Sequence, residues 1–181
     1  MSTQLVLNWS DLAPYDQIGK SVCRHRGVYL WGFQINDGFV PYYVGIAENM
    51  RHRLGQHISA ILSGAYTIYH KDSLSDFVSH KDKKVLGGYL TGKVYQPMLP
   101  DSLVTFIRDR ELLRPHIDFM LDSLMFSTAT VDSTINLKAA EKACIMSIGK
   151  KNLANSRGGI VTNLPLAVTG DTNVVALFYK I

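Results

Sequence analysis

The chain has few of the residues that mark several common classes of protein. Its 181 residues include only two cysteines, Cys23 and Cys144, too few for a disulfide framework or for a zinc site made of cysteines. No apolar run reaches the roughly 18 residues that span a bilayer. Residues 1–16 lack the basic start and apolar stretch of a secretory signal. We therefore expect a cytoplasmic protein with no membrane partner.

Charged residues are present in ordinary amount but are unevenly distributed. They make up 19% of the chain, against 46% apolar residues, which is typical of a globular protein. The length predicts a single domain over residues 1–181. Residues 20–57 hold five basic and two acidic residues, and residues 138–157 hold five basic and one acidic. If the fold joins these two windows, they form a face suited to a polyanion; a chance surface distribution is the alternative.

The first half of the chain predicts a β-hairpin followed by a helix. Residues 27–34 and 39–45 are rich in β-branched and aromatic residues, and the turn-forming triplet 36–38 separates them. Residues 49–63 repeat apolar side chains at helical spacing behind Asn49, a suitable N-cap. Residues 65–118 show no sustained period apart from a helix over 101–114, so we interpret them as an insertion.

The second half predicts a strand, a helix and a last strand. Residues 121–131 alternate in part and indicate a strand, and residues 135–149 form an amphipathic pattern that ends near a glycine. A loop is predicted over residues 155–159, and the short apolar run 174–179 is interpreted as a final strand.

Two polar residues of the first helix lie on one shoulder of its apolar stripe. With 100° per residue from Arg51, the stripe centres near roughly 300°, Arg53 falls near roughly 200° and His57 near roughly 240°. Arg53 can bind a phosphate through its guanidinium, and His57 can exchange a proton near neutral pH. The alternative is that Arg53 and His57 are simply two solvated side chains. Arg51 lies on the opposite shoulder of the apolar stripe.

One of only three glutamates lies inside an apolar stripe. Glu141 is four residues from both Leu137 and Ile145 on the second helix. A carboxylate that faces a core is costly unless it is paired, protonated or bound to a metal. The residues leave two alternatives open, a buried arginine partner or a hard cation such as Mg²⁺.

The predicted hairpin also places Tyr29 and Tyr43 on neighbouring strands. Their hydroxyls could orient a water or a phosphate oxygen beside Arg53, or they could be satisfied hydroxyls of two core tyrosines.

Taken in order, these residues resemble the signature of the GIY-YIG nucleases. Gly27-Val28-Tyr29 and Tyr43-Val44-Gly45 are similar to the two tripeptides of that signature, and Asn49, Arg53-Leu54 and His57 follow. The second half of the signature is similar to Glu141, Cys144-Ile145, Gly149, Asn155 and Gly158-Gly159. The pair of Arg53 and His57 resembles the restriction-enzyme branch more than the repair-incision branch, which tends to carry lysine where Ile46 stands.

The resemblance implies a fold, an activity and a set of site residues. The implied fold is α+β, a small three-stranded antiparallel sheet flanked by helices, with residues 65–118 inserted between the first helix and the third strand. The implied activity is metal-dependent hydrolysis of DNA phosphodiester bonds, with a type II restriction enzyme as one form. The implied catalytic residues are Tyr29, Tyr43, Arg53, His57, Glu141 and Asn155.

The remaining expectations concern cofactors and partners. Glu141 is expected to hold one Mg²⁺ or Mn²⁺ ion, and the partner is expected to be double-stranded DNA bound by a monomer or a homodimer. Phosphate contacts are expected from Arg24, Arg26, Arg51, Lys150, Lys151 and Arg157. The alternatives are a catalytically silent nucleic-acid-binding module on the same scaffold, or a structure-specific or RNA-directed nuclease.

Overall fold

The protein has a mixed α+β fold. The computed structural model describes residues 4–22, 24–36, 38–79, 92–149, 153–155 and 164–179. The strands are β1 (Leu5–Trp9), β2 (Ala13–Pro14), β3 (Gly27–Ile35), β4 (Gly38–Ala47), β5 (Ile68–Tyr69), β6 (Lys93–Tyr95), β7 (Leu124–Thr130) and β8 (Leu166–Gly170). The helices are α1 (Ile18–Ser21), α2 (Met50–Leu62), α3 (Lys71–Ser79), α4 (Ser102–Arg108), α5 (Arg110–Asp122), α6 (Leu137–Ile148) and α7 (Thr172–Tyr179). None of these helices is long and apolar enough to cross a membrane.

The central sheet is antiparallel and has four strands in the order β2-β7-β3-β4. The predicted hairpin is confirmed as β3 and β4, and β7 pairs with β3 on its other side. The expected number of three strands is wrong because Ala13 and Pro14 pair with Phe126 and Met125 as a fourth. A two-residue strand is too short to produce a recognisable alternation in sequence.

Both faces of the central sheet are covered. Side chains of β3 alternate between two cores, with Tyr29, Trp31 and Phe33 in the first and Val28 and Leu30 in the second. Helices α2 and α5 contribute to the first core, and α6 contributes to the second. Strands β1 and β8 form a separate parallel pair whose residues also belong to the second core. The continuous apolar character of β3 reflects this burial on both faces.

A β-bulge in β4 places two consecutive tyrosines on one face of the sheet. Tyr43 pairs with Trp31 and Pro41 pairs with Gly32, so Tyr42 is an extra residue with no partner of its own in the strand register. Tyr42 and Tyr43 both pack against the first core, although neighbouring strand residues normally point to opposite faces. The bulge therefore directs two aromatic rings into the first core.

The helix caps follow the sequence closely. The side chain of Asn49 accepts a hydrogen bond from the backbone N–H of His52, and Asn136 accepts one from Ala139 in the same way. These two bonds satisfy N–H groups that have no partner within their helices. The starts of α2 and α6 thus agree with prediction to within about two residues.

The end of the chain differs from the prediction, because residues 172–179 form helix α7 rather than a strand. The backbone N–H of Val174 bonds to the side chain of Asp171, which starts the helix. A short apolar run has no period that separates a buried strand from a buried helix. The predicted strand 121–131 also begins later, at Leu124, because α5 continues to Asp122 with Pro115 inside it.

The predicted insertion is part of the first core. It holds β5, α3, β6, α4 and most of α5, and Ile68, Leu74 and Phe106 are buried with the residues of α2. The helix expected over 101–114 is divided at Asp109 between α4 and α5. The insertion therefore forms one wall of any site that lies on the face of the sheet covered by the first core.

Candidate active site

A cavity of about 280 Å³ opens on the first face of the sheet, between β4, α2 and the insertion. Its lining residues are Trp31, Tyr42, Tyr43, Arg53, His57, Tyr66, Thr67, Tyr69, Met120 and Ala154. Three of the predicted site residues, Tyr43, Arg53 and His57, are among them. The hydroxyl of Tyr29 reaches the same group through its hydrogen bond to His57.

Tyr29 lies across from Gly45, which is its partner in the hairpin register. A Cβ atom at Gly45 would overlap the hydroxyl oxygen of Tyr29 and the ring carbon that bears it. Only glycine leaves room for the ring in this place. The glycine at the end of the Tyr43-Val44-Gly45 tripeptide therefore has a steric function, which is to seat the phenol of Tyr29.

His57 is the centre of a hydrogen-bonded chain of three side chains. Its Nε2 lies 2.8 Å from the hydroxyl of Tyr29, and its Nδ1 lies 2.6 Å from the hydroxyl of Tyr66. The imidazole is only 3% exposed, and the rings of Trp31 and Tyr43 also contact it. Both ring nitrogens are engaged, so the orientation of the imidazole is fixed.

Burial and Arg53 together set the protonation of this group. Burial, with a contribution from the charge of Arg53, lowers the pKa of His57 to about 4, so the imidazole is neutral at pH 7. Burial raises the pKa of Tyr29 above its usual range, and the hydrogen bonding and charge of Arg53 offset only part of this rise. Burial alone would lower the pKa of Arg53, but the hydroxyls of Tyr29, Tyr66 and Tyr43 outweigh it and raise the pKa.

Asn155 is placed next to the site but does not face it. Its side-chain oxygen accepts from the backbone N–H of Val44 at 3.0 Å, and its nitrogen donates to the Val44 carbonyl at 2.7 Å. Both polar atoms of the amide are used, and the residue is 7% exposed. Asn155 therefore anchors the segment 153–155 to the edge strand β4 and holds Ala154 in the cavity wall, rather than orienting a reacting group as predicted.

Glu141 lies on α6, whereas Arg53 lies on α2, and these helices cover opposite faces of the sheet. The resemblance implied that both residues belong to one catalytic set, but the structure does not bring them onto one face of the sheet. The reason is that β3 is apolar on both faces, so helices pack against each of them. Among the described residues Glu141 forms no side-chain salt bridge, and burial raises the pKa of its carboxyl against the opposing effect of Lys142 and Lys138.

The predicted phosphate contacts are divided among several places. Arg51 donates to the carbonyl of Val22, and Arg26 bonds to Glu48 and to the carbonyls of Asp132 and Ile135, so both arginines tie elements of the fold together. Arg24 is exposed. The predicted contacts Lys150, Lys151 and Arg157 lie outside the described residues. Residues of both basic windows, Arg26 and Lys138, line a second cleft at the start of α6.

Three further tyrosines of this site were not predicted from the sequence. Tyr66 bonds to His57, and the hydroxyls of Tyr42 and Tyr69 lie 3.1 Å apart in the cavity wall. Tyr66 and Tyr69 belong to the insertion, which has no periodic pattern. The one available signal was the density of tyrosine in residues 66–69, directly after a helix that carries a candidate catalytic histidine.

Comparison with known proteins adds no relative. No family model matches the chain, and neither a curated protein nor a solved structure matches it. The function is therefore inferred from the residues and the geometry of the chain itself.

Proposed function

We propose that the protein is a metal-dependent endonuclease that hydrolyses DNA phosphodiester bonds. The observation that carries this proposal is the 2.8 Å contact between the Tyr29 hydroxyl and Nε2 of a neutral His57, beside the guanidinium of Arg53. A base and a cation in one cavity are the two groups that such a hydrolysis needs most. The resemblance of the same residues to the GIY-YIG signature supports the choice of a phosphodiester.

The hydrogen-bond chain can move one proton away from the attacking water. Arg53 can only donate, so the Tyr29 oxygen accepts from it and the Tyr29 proton points to Nε2 of His57. Because burial raises the pKa of Tyr29 and lowers that of His57, neither a free phenolate nor a free imidazolium is stable here, so the transfers must be concerted. As Tyr29 passes its proton to His57, its oxygen takes a proton from water, and the water oxygen forms the new bond to phosphorus. The bond from phosphorus to the leaving oxygen then breaks. The imidazolium formed on His57 stays next to Arg53, so it returns its proton readily.

Arg53 is suited to the charge that builds on the phosphate. Its guanidinium is permanently charged, lines the cavity and lies beside Tyr29. It opposes the effect of burial on the pKa of Tyr29 and stabilises the additional negative charge on phosphorus in the transition state. Tyr43, whose ring centroid is 6.3 Å from that of Tyr29, forms the wall against which the water is held.

The expected Mg²⁺ or Mn²⁺ ion has one candidate carboxylate. No group of three or more His, Cys, Asp or Glu residues within the described ranges could hold a metal ion. Glu141 is half-buried, and binding of a hard cation is the second of the two alternatives for this residue. A single carboxylate suffices for Mg²⁺ when the substrate phosphate and water complete the shell. Because Glu141 belongs to the helix on the face of the sheet opposite Tyr29 and Arg53, an ion held there would neutralise charge on the DNA phosphates that approach α6.

The decisive experiment is cleavage of supercoiled plasmid by the purified protein with Mg²⁺, with EDTA as the control. We expect nicking or linearisation that EDTA stops and that Tyr29→Phe and Glu141→Gln both abolish. Tyr95→Phe is the matched control, because it also removes a buried tyrosine hydrogen bond, to the carbonyl of Gly64, outside this cavity. DNA binding that persists in EDTA, with no cleavage under any metal, would contradict the proposal and favour a catalytically silent binding module.

Glu141→Gln tests the metal ligand separately from the proton chain. Tyr29 and the helix that carries Glu141 belong to opposite faces of the sheet, so Tyr29→Phe and Glu141→Gln test two different parts of the proposal. Cleavage that survives Glu141→Gln but not Tyr29→Phe would remove Glu141 from the site and leave the chemistry of Tyr29 and His57.

The form of the nuclease is a finer question. A type II restriction enzyme predicts one fixed cleavage site on plasmid and a companion methyltransferase gene beside this one. A structure-specific nuclease predicts preference for flaps or junctions, and an RNA-directed nuclease predicts faster cleavage of RNA of the same sequence. Cleavage of matched DNA and RNA substrates separates the three.

A further inference from the structure

The cavity extends beyond the reacting groups into a space with aromatic walls. The side chains on that side are Trp31, Tyr42, Tyr43, Tyr66, Thr67 and Tyr69. We propose that this space binds the base of an unpaired nucleotide next to the scissile phosphate, so that the substrate is DNA with at least one base outside the duplex. The inference rests on the proposed function, because that function makes the ligand a nucleic acid.

The charges of the cavity define the kind of ligand it accepts. Arg53 is charged, His57 is neutral because it is buried, and no carboxylate is among the residues that line the cavity. A fitting ligand is therefore anionic at the Arg53 end and uncharged along the rest of its length. A phosphate joined through a sugar to a planar base has this distribution of charge.

The walls provide a platform for a flat ring. The bulge in β4 brings Tyr42 against Trp31, with ring centroids 4.9 Å apart. Aromatic side chains stack on bases of every kind. The volume of about 280 Å³ is near the lower end of small-ligand cavities, which suits one base and excludes a base pair.

A polar pair in the wall can bond to the edge of a base. The hydroxyls of Tyr42 and Tyr69 lie 3.1 Å apart, and one bond between them uses one of their two protons. The second hydroxyl proton is left to donate to a carbonyl or ring nitrogen. Uncharged donors and acceptors of this kind are typical of sites that read the edge of a flipped base.

A base within a duplex cannot enter this space. It is stacked between its neighbours and paired across the helix, and a cavity on one protein face is reached only by a base that has left the stack. Single-stranded ends, flaps, bulges and flipped bases meet this requirement. The proposed substrate is thus narrower than DNA in general.

Trp31 offers a direct reporter, because the chain has only two tryptophans. Trp9 lies in the second core, and its buried indole N–H has no acceptor among the described residues. Trp9→Phe therefore leaves Trp31 as the single source of tryptophan fluorescence and breaks no hydrogen bond within the described part of the chain. In EDTA, this variant is titrated with a single-stranded oligonucleotide, an abasic sugar-phosphate strand of equal length, the full duplex and a free mononucleotide. We expect saturable quenching by the single strand, weaker quenching by the mononucleotide and none by the abasic strand or the duplex.

Variants of Tyr42 test the platform. Tyr42→Leu in the same background should weaken binding of the single strand about tenfold, as expected for one lost stacking contact, and leave abasic-strand binding by anisotropy unchanged. Tyr42→Phe keeps the ring and should retain most of the affinity, so it preserves the test if Tyr42→Leu fails to fold. Equal affinity for base-bearing and abasic strands, or quenching by the mononucleotide but not by the strand, would overturn the inference.

The inference and the proposed function fail in different ways. Cleavage in Mg²⁺ that is equally fast for an intact duplex and for DNA with an unpaired base would overturn the inference and leave the nuclease. Base-dependent quenching without cleavage of any substrate would overturn the nuclease and leave a site for an unpaired base.

Discussion

The hydroxyl of Tyr66 lies 2.6 Å from Nδ1 of His57, at the ring nitrogen that Tyr29 does not contact. A neutral imidazole carries one proton, and Nε2 can accept the proton of Tyr29 only if that proton is on Nδ1. Tyr66 supplies the acceptor for a proton on Nδ1. It acts on the chemistry through His57, so it is a positioning residue.

Replacement of Tyr66 by phenylalanine should therefore change the tautomer of His57. Without the acceptor, the proton moves to Nε2, which then donates to Tyr29 and can no longer take its proton. We expect the cleavage rate to fall by about tenfold or more, and ¹⁵N NMR of His57 to show the proton moved from Nδ1 to Nε2. An unchanged tautomer, or an equal loss of rate in the Tyr95→Phe control, would contradict this role.

Replacement of Gly45 by alanine should disturb the site by steric overlap, without removing any polar group. The new methyl would overlap the phenol of Tyr29 and should break its bond to His57. We expect a loss of about 1–3 kcal/mol in stability, as for other overpacked cores, together with loss of cleavage.

The matched control for that variant is Gly55→Ala on helix α2. No atom lies within 4 Å of a Cβ built at Gly55, and the residue is exposed inside the helix, where alanine is favoured by about 0.5–1 kcal/mol. The temperature of thermal unfolding should rise for Gly55→Ala and fall for Gly45→Ala. Parental stability and rate in Gly45→Ala would mean that Tyr29 is not seated as described.

The buried His57 should make the free energy of unfolding depend on pH. Its pKa is about 4 in the folded protein, against 6.5 for an exposed histidine. Between these values the unfolded chain binds the additional proton, so stability is fully present above pH 6.5 and is lost as the pH falls toward 4. With about 1.4 kcal/mol for each pKa unit, the loss approaches about 3 kcal/mol.

Urea unfolding well above and well below the pKa of an exposed histidine measures this dependence. His57→Gln, which has no titrating ring, should show a smaller difference in stability between the two pH values than the parent protein. The same difference in both proteins would assign the acid sensitivity to carboxyl groups instead.

Arg51 and Arg53 provide a comparison of two arginines on one helix. Arg53 lines the cavity, so Arg53→Ala should lower the cleavage rate by about 100-fold or more, and Arg53→Lys should restore little because a lysine lacks the planar fork. Arg51 donates to the Val22 carbonyl at 2.9 Å. Arg51→Ala should cost about 1 kcal/mol of stability and leave the rate near that of the parent.

Single-turnover rates and thermal unfolding of these variants decide the assignment. Equal losses of rate at positions 51 and 53 would mean that both arginines only bind the DNA backbone. This outcome would also remove the cation from the proposed transition state.

The parts of the fold with a local cause could be predicted from the sequence. The hairpin has its turn residues, and Asn49 and Asn136 each accept a bond from an N–H three residues on. The phases of Arg53 and His57 on α2 placed both in one cleft, as the structure shows. These features depend on short-range hydrogen bonds and on one helical period.

The parts of the fold that depend on contacts between distant residues could not be predicted from the sequence. The bulge at Tyr42 is visible only in the pairing with β3, and the bond from Tyr66 to His57 requires the fold of the insertion. The opposite placement of α2 and α6 follows from both faces of β3 being apolar, which the sequence of β3 permits but does not require. Residues 172–179 form a helix, but their short apolar run is equally compatible with a buried strand.

The pairing of β1 with β8 has a consequence for how the protein is made. Leu5 pairs with Leu166 and Trp9 with Gly170, so β1 leaves the ribosome long before the strand with which it pairs. The hairpin, α2 and the insertion can fold around the cavity while β1 still lacks its partner. Contacts between such distant residues form slowly, and an apolar strand without its partner is prone to aggregation. The second core cannot be completed until β8 has been synthesised, and during that interval the unpaired β1 is open to misassembly.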